Sequence, residues 1–217
     1  MSTWVHREVE CPGCGRVNSE AVLKGIHISN LPTVREDIVA GRFQRTTCAD
    51  CGFEAQLERT SVYTDFDKGQ YIAVEPPDPS DWREAVARHQ QIFDRCFTMG
   101  PPIAEELGRG LRHRLVFGVA ALREKVICWD AGLDDRVLES CKADWLESEG
   151  KSAGAEELRL VGVLPPGHCI LRRTVGMELL GHTTLLAKDY EARLSGTGSQ
   201  HPQLLGGWVV DLWISSR

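Results

Sequence analysis

Two short cysteine motifs constrain this chain more than any other feature. Cys11-Pro12-Gly13-Cys14-Gly15 and Cys48-Ala49-Asp50-Cys51-Gly52 each set two thiols three positions apart, with glycine directly behind the second. A C-x-x-C turn supplies two metal ligands from one tight loop, and two such turns complete the tetrahedral shell that zinc takes from thiolates at about 2.3 Å. Gly15 and Gly52 admit positive φ, so the backbone can curl round a metal and aim its N–H groups at sulfur, while Pro12 stiffens the first turn. Thirty-three residues separate Cys14 from Cys48, more than the usual spacing of about 15 to 20 between such pairs. The candidate ligands are therefore Cys11, Cys14, Cys48 and Cys51, holding about one structural Zn2+ per chain. Thiol redox chemistry is the competing reading of a C-x-x-C pair at a helix start, but both pairs here follow strand-like segments. A closed four-thiolate shell leaves the metal no open position for water activation.

The flanking sequence frames these motifs. Residues 3 to 9 alternate like a strand and residues 17 to 29 are rich in β-branched side chains, which predicts a hairpin with the first cysteine pair in its turn. Pro32 to Gly41 reads as a short helix, with proline in the first turn and glycine as the stop; it is expected to supply most of the extra spacing between the pairs. FEAQLERTSVY beyond Cys51 is expected to return as the second strand of a second hairpin. DFDKG reads as a turn, YIAVE as an edge strand, and PPDPSD as a linker. This places a domain boundary near residue 78, with a zinc-ribbon-like domain over 1–78 and a mixed body over 79–217.

In that body, Ser80 or Asp81 caps a helix with Trp82, Ala85, Val86, Ile92, Phe93, Cys96 and Phe97 at helical spacing. A second helix is predicted from Phe117 through GVAALREKVICWDAG and a third from Asp134 or Asp135. ELRLVGVL, HCILRRTV and GWVVDLWIS read as strands, TTLLAKDYEARL as a helix, and SGTGSQHPQ as a loop. The expected class is α+β: a β-rich N-terminal domain followed by three or four helices and a small sheet.

Composition narrows the function. Net charge is -6 with pI about 5.7, so no global positive field draws in a polyanion and nucleic acid is a minority reading. There is no long apolar run, and the first ten residues carry charges where a signal peptide needs an apolar core. No membrane role is expected and the cytosol is the expected compartment. Reducing conditions there favour metal over disulfides for the eight cysteines.

At these residues the chain resembles the CpXC protein family, named for two Cys-Pro-x-Cys motifs in one domain. The matching stretches are Glu8 to Gly15, Ile38 to Gly41, Cys48 to Gly52, Tyr63 with Asp65, Leu115 to Gly118, Leu122, Glu124-Lys125 and Gly132 to Arg136. Together they span residues 8 to about 138. The resemblance implies the fold of the N-terminal domain and its zinc; it implies no reaction. Ala49 stands where the family usually has proline, which removes no ligand. Thr64 stands where a histidine accompanies the Tyr63 segment, which counts against an active site there.

The remaining candidates have bland readings. Cys96, Cys128, Cys141 and Cys169 are expected to be core thiols rather than a second metal site. Gly132 to Arg136 reads as a helix cap rather than a catalytic carboxylate pair. Arg109, Arg112, His113 and Arg114 read as a solvated turn, with phosphate or an acidic partner as the alternative; Arg172 and Arg173 share that ambiguity. His168, His182 and His201 lie in loop-like sequence without a nucleophile motif. Trp129 and Trp213 are expected in a core, and Trp145 at a contact surface. No residue is assigned as catalytic. The expected function is zinc-dependent protein–protein interaction, as adaptor, regulator or assembly subunit, with another protein or a second copy as partner. The alternatives are a nucleic-acid-binding ribbon and an enzyme whose site lies in 79–217.

Overall fold

Alternating side chains and β-branched residues form the first hairpin as the pattern requires. In the computed structural model, which describes residues 2–77, 81–152, 154–196 and 207–215, β1 (Thr3–Glu10) and β2 (Val17–His27) pair antiparallel, from Thr3 opposite Gly25 to Glu10 opposite Val17. A 3-10 turn over Ile28–Asn30 leads to α1 (Pro32–Ala40), which has proline in its first turn and ends at Gly41, φ 73°. β3 (Arg45–Thr47) and β4 (Glu54–Gln56) make the second, smaller hairpin. β5 (Ser61–Asp65) and β6 (Gln70–Glu75) follow. Then come α2 (Trp82–Phe93), a π turn over Asp94–Thr98, α3 (Pro102–Arg109), β7 (Arg112–Phe117) and α4 (Val119–Asp130).

β1, β2, β5, β6 and β7 form one sheet in that order, with parallel pairing at β2–β5 and β6–β7. Its core holds Leu23, Ile26, Tyr63, Ile72, Val74, Leu115 and Val116, all buried. YIAVE is therefore an interior strand, buried at every position, and not the edge strand expected. The cause is β7. Arg112 to Phe117 continues the sheet beside β6, where a turn and a helix start were expected, because RHRLVF places its apolar half, Leu115 to Phe117, in the core. α2 uses Ala85, His89 and Phe93 as its inner face. Phe93 stands edge-on to Tyr71 at 5.0 Å, and Phe97 packs against it at 4.9 Å. Ile92 and Cys96, expected on that face, are exposed. Asp81 caps α2 by accepting from the N–H groups of Arg83 and Glu84.

The chain divides into two compact units, residues 1–122 and 123–217, with the division inside α4. The boundary expected near residue 78 falls within the first unit, since β7 completes the sheet that β1 begins.

In the second unit, α5 (Asp135–Ser148) precedes an antiparallel meander of β8 (Glu157–Leu164), β9 (His168–Val175) and β10 (Glu178–Leu185), with β9 central. α6 (Ala187–Ser195) and a final turn, α7 (Leu212–Ser215), complete it. Thr183 to Leu185 thus end β10 rather than starting a helix, and GWVVDLWIS ends in α7 rather than forming a strand. The loop expected over SGTGSQHPQ lies almost wholly outside the described residues.

What organises this unit is charge. Glu124, Lys125, Asp135, Glu139, Lys142, Arg159 and Asp211 are all buried. Lys142 bridges Glu124 and Glu139, Lys125 faces Asp135 at 3.3 Å, and Arg159 meets Asp211 at 2.5 Å. Glu124 also accepts the Leu160 N–H at 3.1 Å. Burial pulls the Glu124 carboxyl upward, but Lys142, Arg159 and Lys125 outweigh it and hold the group ionised; burial with Glu124 nearby pushes Glu139 up.

Removing one partner from a buried ionic network leaves charge without compensation, so Lys142→Ala should destabilise the second unit by about 3–5 kcal/mol in urea denaturation. A second test concerns pH. Arg173 donates to Glu156 at 2.8 Å and, with Lys151 beside it, holds this carboxyl down at about 2. A depressed carboxylate stabilises the fold above its unfolded value near 4.5 and loses that contribution as pH falls toward 2. Glu156→Gln should therefore lower the melting temperature at neutral pH, and the gap to wild type should close on acidification through that window.

Candidate metal centre

Each cysteine pair sits at a hairpin tip, and the two tips have the same hydrogen bonds. In the first, the Cys11 N–H donates to Arg16 O at 2.8 Å and the Gly15 N–H to Cys11 O at 2.8 Å. In the second, the Cys48 N–H donates to Phe53 O at 2.9 Å and the Gly52 N–H to Cys48 O at 2.9 Å. Gly15 and Gly52 adopt φ of 72° and 71°, the left-handed conformation that makes glycine the fitting residue at both positions.

The four sulfurs converge. All Sγ atoms lie within 4.8 Å of one another, with Cys11–Cys51 at 3.6 Å and Cys14–Cys48 at 3.8 Å across the two tips. A tetrahedron of sulfurs at about 2.3 Å from a central ion has edges of about 3.8 Å, so the donor set fits a four-coordinate metal ion. Cys11 and Cys48 are buried while Cys14 and Cys51 are exposed, so each tip contributes one inner and one outer thiol.

The polar surroundings favour sulfur anions unequally. The N–H groups of Cys51 and Asp50 point at the Cys48 sulfur and hold its thiol down at about 6. The Phe53 N–H acts likewise on Cys51, but burial and the thiols of Cys14, Cys11 and Cys48 override it and push Cys51 up to about 12. At Cys14 the Arg16 N–H is similarly outweighed, and the thiol is raised. Four sulfurs this close resist sharing negative charge among themselves; a bound cation reverses that balance and takes them as thiolates.

Three contacts that no sequence motif marks join the tips. Asn18 on β2 donates from Nδ2 to Cys48 Sγ at 3.7 Å, so the strand behind the first pair supports a ligand of the second. Arg16 pairs with Asp50 at 2.7 Å. Gly13 lies against Phe53 so closely that a Cβ at position 13 would stand 2.9 Å from the Phe53 Cβ. The long spacing between the pairs comes from β2 at least as much as from α1, since β2 has 11 residues and α1 has 9. α1 is pinned from the sheet: Arg35 pairs with Asp65 at 2.7 Å and also donates to the Tyr63 hydroxyl. Gln56 on β4 donates to the Phe43 and Gln44 carbonyls, fixing the chain that leads into the second tip.

The other candidates take structural places. Asp134 caps α5 by accepting the Arg136 N–H at 2.9 Å, and Asp135 joins the buried network. Arg112, His113 and Arg114 lie on β7 rather than in a turn, with His113 packed on Phe93. His168 and His182 lie on β9 and β10, not in loops, and His168 accepts the Ala187 N–H at 3.0 Å; His201 lies outside the described residues. Cys128, Cys141 and Cys169 are buried free thiols. Trp129 is buried and Trp213 half-buried, while half-buried Trp145 lies beneath Arg173 at 5.1 Å. A cavity of about 480 Å³ opens between α5 and α6, lined by Cys141, Asp144, Trp145, Leu185, Asp189 and Arg193. Burial pushes the Cys141 thiol there up to about 12, which keeps it protonated and poorly nucleophilic.

Fold and site together define an α+β protein with a four-cysteine metal-binding site built from two hairpin tips. The chain belongs to the CpXC family: the family model described as CpXC protein matches residues 9–142, through both tips and into α5. Comparison with curated proteins and with solved structures found no match. No helix among the described residues is long and apolar enough to cross a membrane.

Outer hydrogen bonds to ligands typically carry about 10–100-fold in metal affinity. Asn18→Ala should therefore surrender its metal to a chelator at a concentration lower by that order, measured by competition titration, without loss of the sheet's circular dichroism signal.

Proposed function

We propose that this chain is a zinc-stabilised protein-interaction protein of the cytoplasm. Cys11, Cys14, Cys48 and Cys51 hold one structural Zn2+, and the hairpins that carry it present a docking face to another protein. The observation behind this reading is the closed sulfur set: four thiols fill four positions, so the metal has no site for substrate or water and its contribution is to folding. The second hairpin is too small to stand without such a staple, since β3 and β4 have three residues each. Next to the metal, Phe53 and Val17 are exposed large apolar side chains, the kind that anchors interfaces when a partner covers them. An adaptor, regulatory or assembly role follows from that pairing of a rigid scaffold and an apolar contact.

The test is capture of tagged protein from its native host, with nuclease treatment, Cys48→Ser and Val17→Ser as comparisons. A stoichiometric protein partner should survive nuclease, disappear with Cys48→Ser, and weaken with Val17→Ser while zinc content stays unchanged. Capture that vanishes with nuclease, or turnover of a small substrate independent of zinc, would overturn the reading.

A further inference from the structure

The cavity between α5 and α6 is left by the residues that the two helices turn toward it. Cys141, Asp144, Trp145 and Ser148 follow one another at i, i+3, i+4 and i+7 and so share one face of α5. Asp189, Ala192 and Arg193 share one face of α6 in the same way. Buried Leu185, at the end of β10, borders the same space. Cys141, Ser148 and Ala192 are small, so the facing stripes leave about 480 Å³ open, within the range of about 300–1,000 Å³ that small-molecule sites occupy.

The walls are held by contacts of their own. The Asp134 N–H at the start of α5 donates to the Tyr190 hydroxyl of α6 at 2.7 Å, and Arg193 pairs with Asp144. Arg173 lies over the Trp145 ring at 5.1 Å while it binds Glu156. The space is therefore formed before any ligand enters it, as small-molecule sites usually are.

The charge of the lining is uneven. Asp144 and Asp189 face a single cation, Arg193, and that cation is committed to Asp144. Among the described residues no lysine, arginine or histidine forms an ion pair with Asp189. The Cys141 thiol registers this balance: burial raises it most, and the carboxylates of Asp144 and Asp189 raise it further against the opposing pull of Arg193. An anion entering here would meet an unopposed carboxylate, whereas a cation would gain one. Trp145 and Leu185 add apolar surface on which a ring or hydrocarbon can lie.

We propose that this cavity binds a small organic cation, a primary amine on a short apolar or aromatic body, with the ammonium at Asp189 and the body against Trp145 and Leu185. The site involves none of the four clustered cysteines and so stands apart from the metal centre.

The probe is phenethylamine, compared with phenylethanol and phenylpropionate, which keep the ring and replace the cation by a neutral group and an anion. Each is titrated into the full-length chain as purified. Binding is followed through the Trp145 indole N–H signal in two-dimensional NMR, assigned by its absence from Trp145→Phe. Phenethylamine should move that signal saturably, with a dissociation constant on the order of 1 mM for a ligand of this size. The alcohol should bind about fivefold more weakly, and the carboxylate more weakly still. Asp189→Asn changes an exposed side chain; it should weaken the amine by about fivefold, leave the alcohol unchanged and keep the melting temperature close to wild type. An indole signal that phenethylamine does not move, equal binding of all three molecules, or an Asp189→Asn chain that binds the amine as wild type does would overturn the proposal.

Discussion

The convergence of four sulfurs from two distant stretches of chain is the constraint on which the first unit depends. Residues 11–14 and 48–51 can meet only if β2, the 3-10 turn, α1 and β3 carry the chain out along the sheet and back. Much of that path is fixed by contacts with the sheet. β2 is paired on both sides, to β1 and to β5. α1 is pinned through Arg35 to Asp65 and Tyr63, and the approach to the second tip is tied by Gln56. These contacts lead the two tips toward each other, and the small second hairpin is left for a metal to hold. A metal then replaces mutual repulsion of sulfur anions by attraction to one cation.

The second unit solves a different problem by a different means. Its helices and small meander enclose seven ionisable side chains where apolar ones would ordinarily sit. Such networks add little net stability over a well-packed apolar core, because desolvation offsets most of the attraction. They do penalise wrong arrangements, since any misplaced partner leaves a buried charge exposed to nothing. In this chain the network specifies where the C-terminal segment goes, through Arg159 with Asp211, Glu139 with the Leu212 N–H and Lys125 with the Val210 carbonyl.

Part of this is written in the sequence itself. The two knuckles, their glycines, the first hairpin, α1 with its proline and glycine ends, and the Asp134 cap were legible, because each rests on local chemistry: ligand spacing, φ requirements and capping geometry. β7 was not, since RHRLVF begins with charged residues and shows its apolar half only beside β6. That pairing also turned YIAVE from an edge strand into an interior one. The buried network was hidden for a related reason: Lys125, Lys142 and Glu139 are residue types that normally face water, and only their mutual placement from α4 and α5 makes burial tolerable. Asn18, supporting Cys48 across the metal site, carries no motif at all.

On the proposed reading, Cys11, Cys14, Cys48 and Cys51, whose sulfurs lie within 4.8 Å of one another, together hold one structural zinc ion. X-ray absorption at the zinc edge, on chain purified without added metal, tests it most directly when paired with elemental analysis. The prediction is one zinc per chain surrounded by four sulfur neighbours at about 2.3 Å, with that signal lost in Cys48→Ser. Iron in place of zinc, a shell containing oxygen or nitrogen, or a fully folded chain with no metal would contradict it.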